Sequence, residues 1–348
     1  MGLVLDILNE IRSEIAVDDA VLKETKDRRN LVAEAAMEID GALRWFRSGS
    51  VAHGTANTPV ADADGGIVLD RRNSDYLKLG PEGEGEAPNA IVDEIEALVE
   101  PVVQETYPKA TVKQSRRGLL VEFNEPLDEE QDPTVDLIVT LTRNDGDGLW
   151  IPDLDNNEWS PSHPEKHTDL FTSGSKELKA LRARVTRLVK AWNKQWDEDD
   201  RALHSFNIEA LCLEYVTDSS VPLDETLAGW FAYAHDEIEK GETEDPAGVS
   251  EPIHLPKDLA KETVLQRLSS AADRLAQALE NEDDEDKVKD LLSGVYHDFV
   301  KPPAESKSAW AAALRKGNEG VGVSGVGLII GGQTALRTTR SYGGKRNG

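Results

Sequence analysis

Along the first 46 residues, the apolar positions Leu5, Leu8, Ile11 and Ile15, then Leu22, Leu31, Ala35 and Ile39, recur at the spacing of one helical face. The pattern predicts two helices, or one long helix interrupted near Val17-Asp18-Asp19. From Ser48 to Val139 the texture changes to short apolar runs punctuated by Gly and Pro. Gly66–Leu69, Gly118–Phe123 and Val135–Val139 read as strands, and residues 124–134, with two prolines and five acidic groups, as a hairpin loop. Between these strands Ala90–Val99 reads as a helix that ends before Pro101. Beyond Lys176 the helical period returns, with Leu178, Leu181, Val185, Leu188, Val189 and Trp192 on one face. Further helices are expected at 207–216, 224–239, 257–281 and 286–299. The expected organisation is an N-terminal helix with a mixed α/β catalytic region over 1–165, a helical domain over 166–316, and a glycine-rich tail over 317–348 whose one apolar patch is Val326–Ile330.

Composition narrows the function. The chain has 348 residues, 39% apolar and 30% charged, which suits a globular protein of about two domains. No apolar run reaches the length of a membrane span, and the N-terminus lacks the basic region of a signal peptide, so a cytoplasmic location is expected. One cysteine, Cys212, excludes an internal disulfide and disfavours a structural zinc site. The net charge of −27 repels polyanions, which makes long DNA or RNA a poor partner. A halophilic source is a further reading of this acidity, and full activity without added salt would count against it.

The candidate chemistry lies in Gly49-Ser50, Asp62-Ala63-Asp64 and Asp136. Residues two apart on a strand share a face, so Asp62 and Asp64 can present two carboxylates together. Asp136, alone in an apolar strand, can add a third from a neighbouring strand. Magnesium binds through a few carboxylates plus substrate phosphates, and three carboxylates suffice for a two-metal phosphoryl-transfer site. Glycine at 49 lets the backbone approach a phosphate, to which Ser50 and adjacent amides can donate. Asp145/Asp147 and Asp153/Asp155 repeat the Asp-x-Asp spacing, but in loop-like sequence, and read as solvated turns. On a helical wheel Lys190 falls nearly opposite the apolar stripe, free to face a cleft. Arg182 and Arg184 are weaker phosphate candidates, His53 reads as a bystander, and Trp150, Trp159, Trp192 and Trp230 as core residues between two lobes.

Gly49-Ser50, Thr55, Asp62-Ala63-Asp64 and the distal Val135-Asp136-Leu137 together resemble the polymerase-beta-like nucleotidyltransferase superfamily. Within it the chain is similar to the bacterial CD-NTases, relatives of cyclic GMP-AMP synthase and oligoadenylate synthase. Support comes from Gly148-Leu149-Trp150-Ile151-Pro152 with Trp159-Ser160-Pro161, from Arg187–Trp192, and from His204–Leu211. The resemblance implies an α+β fold, with a nucleotidyltransferase core, a C-terminal helical domain and an active site in the cleft between them. It implies two Mg²⁺ or Mn²⁺ ions on Asp62, Asp64 and Asp136, triphosphate contacts from Gly49, Ser50, Lys190 and Ser205, and a base stacked on Phe206. The implied activity joins nucleoside triphosphates into a cyclic di- or trinucleotide for anti-phage (CBASS) signalling, with a downstream effector that binds the product. Transfer to a tRNA end or a protein, or synthesis of a linear oligonucleotide, stand as alternatives. A regulatory protein, or a partner that conjugates Gly348, completes the expected set.

Overall fold

The computed structural model describes residues 2–73, 78–81, 88–127 and 131–303. The expected tail, with Val326–Ile330 and Gly348, lies outside them.

The two N-terminal helices are α1 (Leu3–Glu14) and α2 (Asp19–Ala36), and Asp18 caps the second by accepting from the Ala20 amide. A sheet follows, built from β1 (Ala42–Ser48), β2 (Asp62–Leu69), β3 (Thr111–Ser115), β4 (Gly118–Glu122), β5 (Thr134–Thr142), β6 (Leu149–Asp153) and β7 (Glu158–Ser162). Its order is β1-β2-β5-β4-β3, with β6 on the far end of β5 and β7 on β6. The β2–β5 pair is parallel; the other pairs are antiparallel. Inserted helices are α3 (Gly49–His53) and α4 (Asn89–Thr106).

Strand periodicity divides the sheet into two faces. Ile67, Leu69, Val135, Leu137, Val139, Leu119 and Val121 are all fully buried, in one cluster with Val32 and Ala33 of α2 and Ile91, Val92 and Ile95 of α4. The opposite face, which carries Asp62, Asp64 and Asp136, looks toward a helical lobe of α5 (Pro164–Thr172), α6 (Lys176–Asn193), α7 (Ser205–Tyr215), α8 (Leu223–Lys240), α9 (Lys261–Glu280) and α10 (Glu285–Ser293). That lobe has its own core around Trp192, Trp230, Phe231 and Tyr296.

Several expectations are corrected here. Helix α1 packs in the helical lobe, with Val4, Ile7, Leu8 and Ile11 against the same cluster as α6, α8 and α10, and not against the sheet that follows it in sequence. Pro101 lies inside α4, which runs to Thr106. The tryptophans do not fill a joint between lobes: Trp150 and Trp159 pack on the sheet core, whereas Trp192 and Trp230 pack within the helical core. Asp153 is no solvated turn residue. It is buried at the end of β6, and Arg116 donates to it from Nη2 at 2.5 Å and from Nε at 3.1 Å, which holds its carboxyl down at about 2. Asp145 and Asp147 are exposed, as expected of turns.

Candidate active site

Strand β2 begins at Asp62, so Asp62 and Asp64 project from one face. The parallel register pairs Asp64 with Asp136, which brings the third carboxylate to the same face one strand away. Ser115 Oγ donates to Asp136 Oδ1 at 3.0 Å and fixes that side chain from β3. Each of the three keeps an edge toward the cleft, yet protein encloses most of it, and burial raises all three above the ordinary carboxylate range. For Asp64 the charges of Asp62 and Asp136 add to burial, and the shift is large. Asp136 is pushed up to about 7, burial outweighing its hydrogen bond from Ser115.

Among the described residues, no three Asp, Glu, His or Cys side chains converge on a metal-binding geometry. The donor chemistry nevertheless fits divalent cations: hard oxygen donors, crowded enough to resist ionisation, are what a bound dication neutralises.

Above these carboxylates sits α3, a helix of one turn. Gly49 opens it with φ +68°, a backbone state that disfavours any side chain, and a Cβ there would collide with Asp64 Oδ2. The expected phosphate element therefore rests directly on the expected metal-binding carboxylate. A Gly49→Ala variant is expected to lose at least about tenfold in turnover, equivalent to about 1.4 kcal/mol of barrier, through displacement of Asp64. Steady-state rates alongside a melting curve would check this; wild-type turnover in a folded variant would refute it.

A buried polar network ties α3 to the helical lobe. Lys190 Nζ donates to Glu209 Oε1 at 2.6 Å and to Thr55 Oγ1 at 3.1 Å. Thr55 Oγ1 in turn donates to Glu209 Oε1 at 2.7 Å. His53 Nδ1 lies 2.8 Å from Glu209 Oε2, its Nε2 lies 3.0 Å from Thr168 Oγ1, and its ring stacks on Phe171. Burial, the largest influence on Glu209, acts to raise its pKa. The Lys190 ammonium and the His53 contact overcome it and hold the carboxylate far below its ordinary range.

Lys190 is thus buried and paired, against the wheel-based expectation of a residue free in the cleft, although its charge and that of Lys194 still act on Asp62. His53 is no bystander. Arg182 is also buried, donating to the carbonyls of Val216, Leu170 and Ser173, which makes it a clamp between α5, α6 and the end of α7; Arg184 is exposed. Ser205 is exposed at the start of α7, and Phe206 is half-buried, its ring 4.8 Å from that of His167. Sequence reasoning passed over Lys194, Ser115 and the central position of Glu209. The last was legible only as part of a helix motif.

Comparison with known proteins finds relatives of the fold. Residues 12–173 match the model of the SMODS family, the Second Messenger Oligonucleotide or Dinucleotide Synthetase domain. Among solved structures, Escherichia coli CdnC, seen in complex with HORMA-deltaN, is 15% identical with a TM-score of 0.63, over 86% of this chain and 99% of its own. CdnG of Bradyrhizobium diazoefficiens, a CD-NTase solved with GTP, is 16% identical with a TM-score of 0.61, over 89% and 98%. The Vibrio cholerae cyclic AMP-GMP synthase DncV, solved with nonhydrolyzable GTP, is 15% identical with a TM-score of 0.55, over 86% and 85%. These likenesses carry the fold. No curated protein matches in sequence. Over residues 12–173 the chain is similar to the SMODS domain, and its fold is that of the CD-NTase structures.

Proposed function

We propose that the chain synthesises a cyclic di- or trinucleotide second messenger from nucleoside triphosphates. The observation that carries this reading is the registry of Asp62, Asp64 and Asp136 on one sheet face beneath the positive-φ Gly49. Gly49 and Ser50 hold the triphosphate, with the bare glycine allowing close approach and the serine hydroxyl donating. Asp62, Asp64 and Asp136 hold two Mg²⁺ or Mn²⁺ ions, which when bound neutralise phosphate charge and lower the pKa of the attacking ribose hydroxyl. Lys190 and Ser205 border the phosphates from the helical lobe, and Phe206 offers a ring to a base. Catalysis then comes chiefly from positioning and charge neutralisation, as in other phosphoryl transfers. Because Lys190, Glu209 and His53 join α3 to α6 and α7, the network sets the spacing of the two walls of the cleft.

The sequence of events is displacement of pyrophosphate by a ribose hydroxyl of a second nucleotide, then a further round in the same site that closes the ring. The acidic surface favours free nucleotides over a macromolecular acceptor. A role in anti-phage signalling, with a regulatory protein and an effector that reads the product, follows from the same reading.

Incubation with the four labelled triphosphates and Mg²⁺ or Mn²⁺, then phosphatase treatment and chromatography, tests it. A small phosphatase-resistant product is expected, its bases given by which labels enter. Label in macromolecules, or only phosphatase-sensitive oligomers, would point to the alternative reactions.

A further inference from the structure

A side chain that stacks on a base works best when its own rotamer is locked by what lies behind it. Behind the half-buried Phe206 lies His167 of α5, the two rings 4.8 Å apart and inclined by 56°. His167 is buried, and so is the carboxylate that holds it: His167 Nε2 lies 2.6 Å from Asp245 Oδ1. Asp245 also accepts the amides of Ala247, Val249 and Ser250, at 3.1, 2.9 and 2.8 Å. Burial, the largest influence on Asp245, acts to raise its pKa; these amides and His167 outweigh it and hold the carboxyl below its ordinary range. Burial is also the largest influence on His167, and it keeps the imidazole below its ordinary value in spite of Asp245. The ring is therefore uncharged at neutral pH. An ionised carboxylate only accepts, so Nε2 carries the proton and donates it to Asp245.

Asp245 belongs to the segment between α8 and α9, which closes on itself where Thr243 and Ile253 pair as an antiparallel bridge. This loop is fastened on either side of Phe206. Asn207, the next residue and fully buried, donates from Nδ2 to Thr243 Oγ1 and to the Ile253 carbonyl, both at 3.1 Å. Its Oδ1 accepts the His204 amide at 3.1 Å, which ties the residues before Phe206 to the same point. Ser250 Oγ meets Ser162 Oγ of β7 at 3.1 Å and anchors the loop to the sheet.

Helix α5 reaches the other half of the site as well. Thr168, beside His167, meets His53 Nε2 of α3 at 3.0 Å and donates to the Arg47 carbonyl at 3.2 Å. A buried ionised pair of this kind carries a desolvation cost that an apolar contact would avoid, so its contribution here is geometry.

We propose that His167, held by Asp245 and the loop 243–253, is a positioning residue that fixes the Phe206 ring for stacking on the nucleotide base. This rests on the reading that Phe206 stacks on a base. His167 acts through Phe206 alone: it removes the ring's rotational freedom before the base arrives, a loss otherwise incurred on binding.

Calorimetric titration with ATP, GTP, CTP and UTP, and with inorganic tripolyphosphate, all with Mg²⁺, tests the proposal. Tripolyphosphate carries the phosphates without a base, so the ratio of affinities isolates the base contact. Wild type is expected to bind at least one nucleoside triphosphate more tightly than tripolyphosphate. His167→Gln keeps a donor for Asp245 and removes the ring. It is expected to weaken that nucleotide at least about fivefold, the lower end of base stacking, and to leave tripolyphosphate unchanged. Adding His167→Gln to Phe206→Ala should lower the ratio no further, because the ring it positions is gone. Should a melting curve show that His167→Gln does not fold, Asp245→Asn, of the same shape, takes its place and is expected to lower the same ratio. An unchanged ratio in a folded variant, an equal loss for tripolyphosphate, or a further loss in the double variant overturns the positioning role. No nucleotide preference in the wild type, or one that Phe206→Ala leaves intact, instead removes the base contact on which the inference rests.

Discussion

An Asp64→Asn variant is expected to fold and to make no nucleotide product. Asp64 lies between Asp62 and Asp136 in charge and against Gly49 in space, so the change removes one anionic donor at the centre of the group while conserving shape. Loss of turnover alone would not distinguish a catalytic role from distortion, so metal-dependent stability supplies a second reading. A cation that binds only the folded state stabilises it by RT ln(1 + [L]/Kd), about 2.7 kcal/mol at a hundredfold excess over Kd. Wild-type protein is therefore expected to melt at a higher temperature with added Mg²⁺ or Mn²⁺, and Asp64→Asn to show little of this rise. Without metal the variant should be at least as stable as wild type, because one of three mutually repelling carboxylates has become neutral. Retained synthesis, or an undiminished metal-dependent shift, would remove Asp64 from the metal site.

The second large effect is on stability. Glu209→Ala leaves the Lys190 ammonium buried without its carboxylate, and removing one partner of a buried pair costs about 3–5 kcal/mol. A lowered urea midpoint with an unchanged slope is expected. The double variant Lys190→Met/Glu209→Leu should recover much of the loss, because it leaves no unpaired charge. The sign with pH follows from Glu209 being held below its ordinary range. Its contribution is complete at neutral pH, stays so down to the ordinary carboxylate value, and is lost as pH falls from there toward the depressed one. A Glu209→Ala variant as stable as wild type at pH 7 would contradict the pairing.

The site was legible where chemistry follows strand periodicity. Asp62 and Asp64 share a face because they are two apart, and Asp136 is conspicuous as the one charge in an apolar strand; both inferences need only local sequence. Strand β1 was not read because Ala42–Ser48 is an edge strand with arginines at 44 and 47, and its apolar residues continue the helical spacing of α2. Lys190 shows a different limit. A helical wheel separates apolar from polar faces but cannot distinguish a polar face in water from one pressed against a second lobe. Helix α6 is buried on both: Leu188, Val189 and Trp192 in the helical core, Lys190 against Thr55 and Glu209. Asp153 and Arg182 escaped for the same reason, since their partners come from 37 and 34 residues away.

The placement of α1 also bears on how the chain is made. Its apolar residues Val4, Ile7, Leu8 and Ile11 find their partners on α6, α8 and α10, the last of which ends at Ser293. At the usual pace of synthesis, about 5–20 residues per second, α1 leaves the ribosome on the order of ten seconds or more before that surface is complete. Through that interval the sheet can close on α2 and α4, whose partners are all encoded early, while the first helix waits with its greasy side uncovered. The nascent catalytic half is thus finished before the segment that begins the chain has anywhere to go, and chaperone dependence during translation should track α1 rather than the sheet.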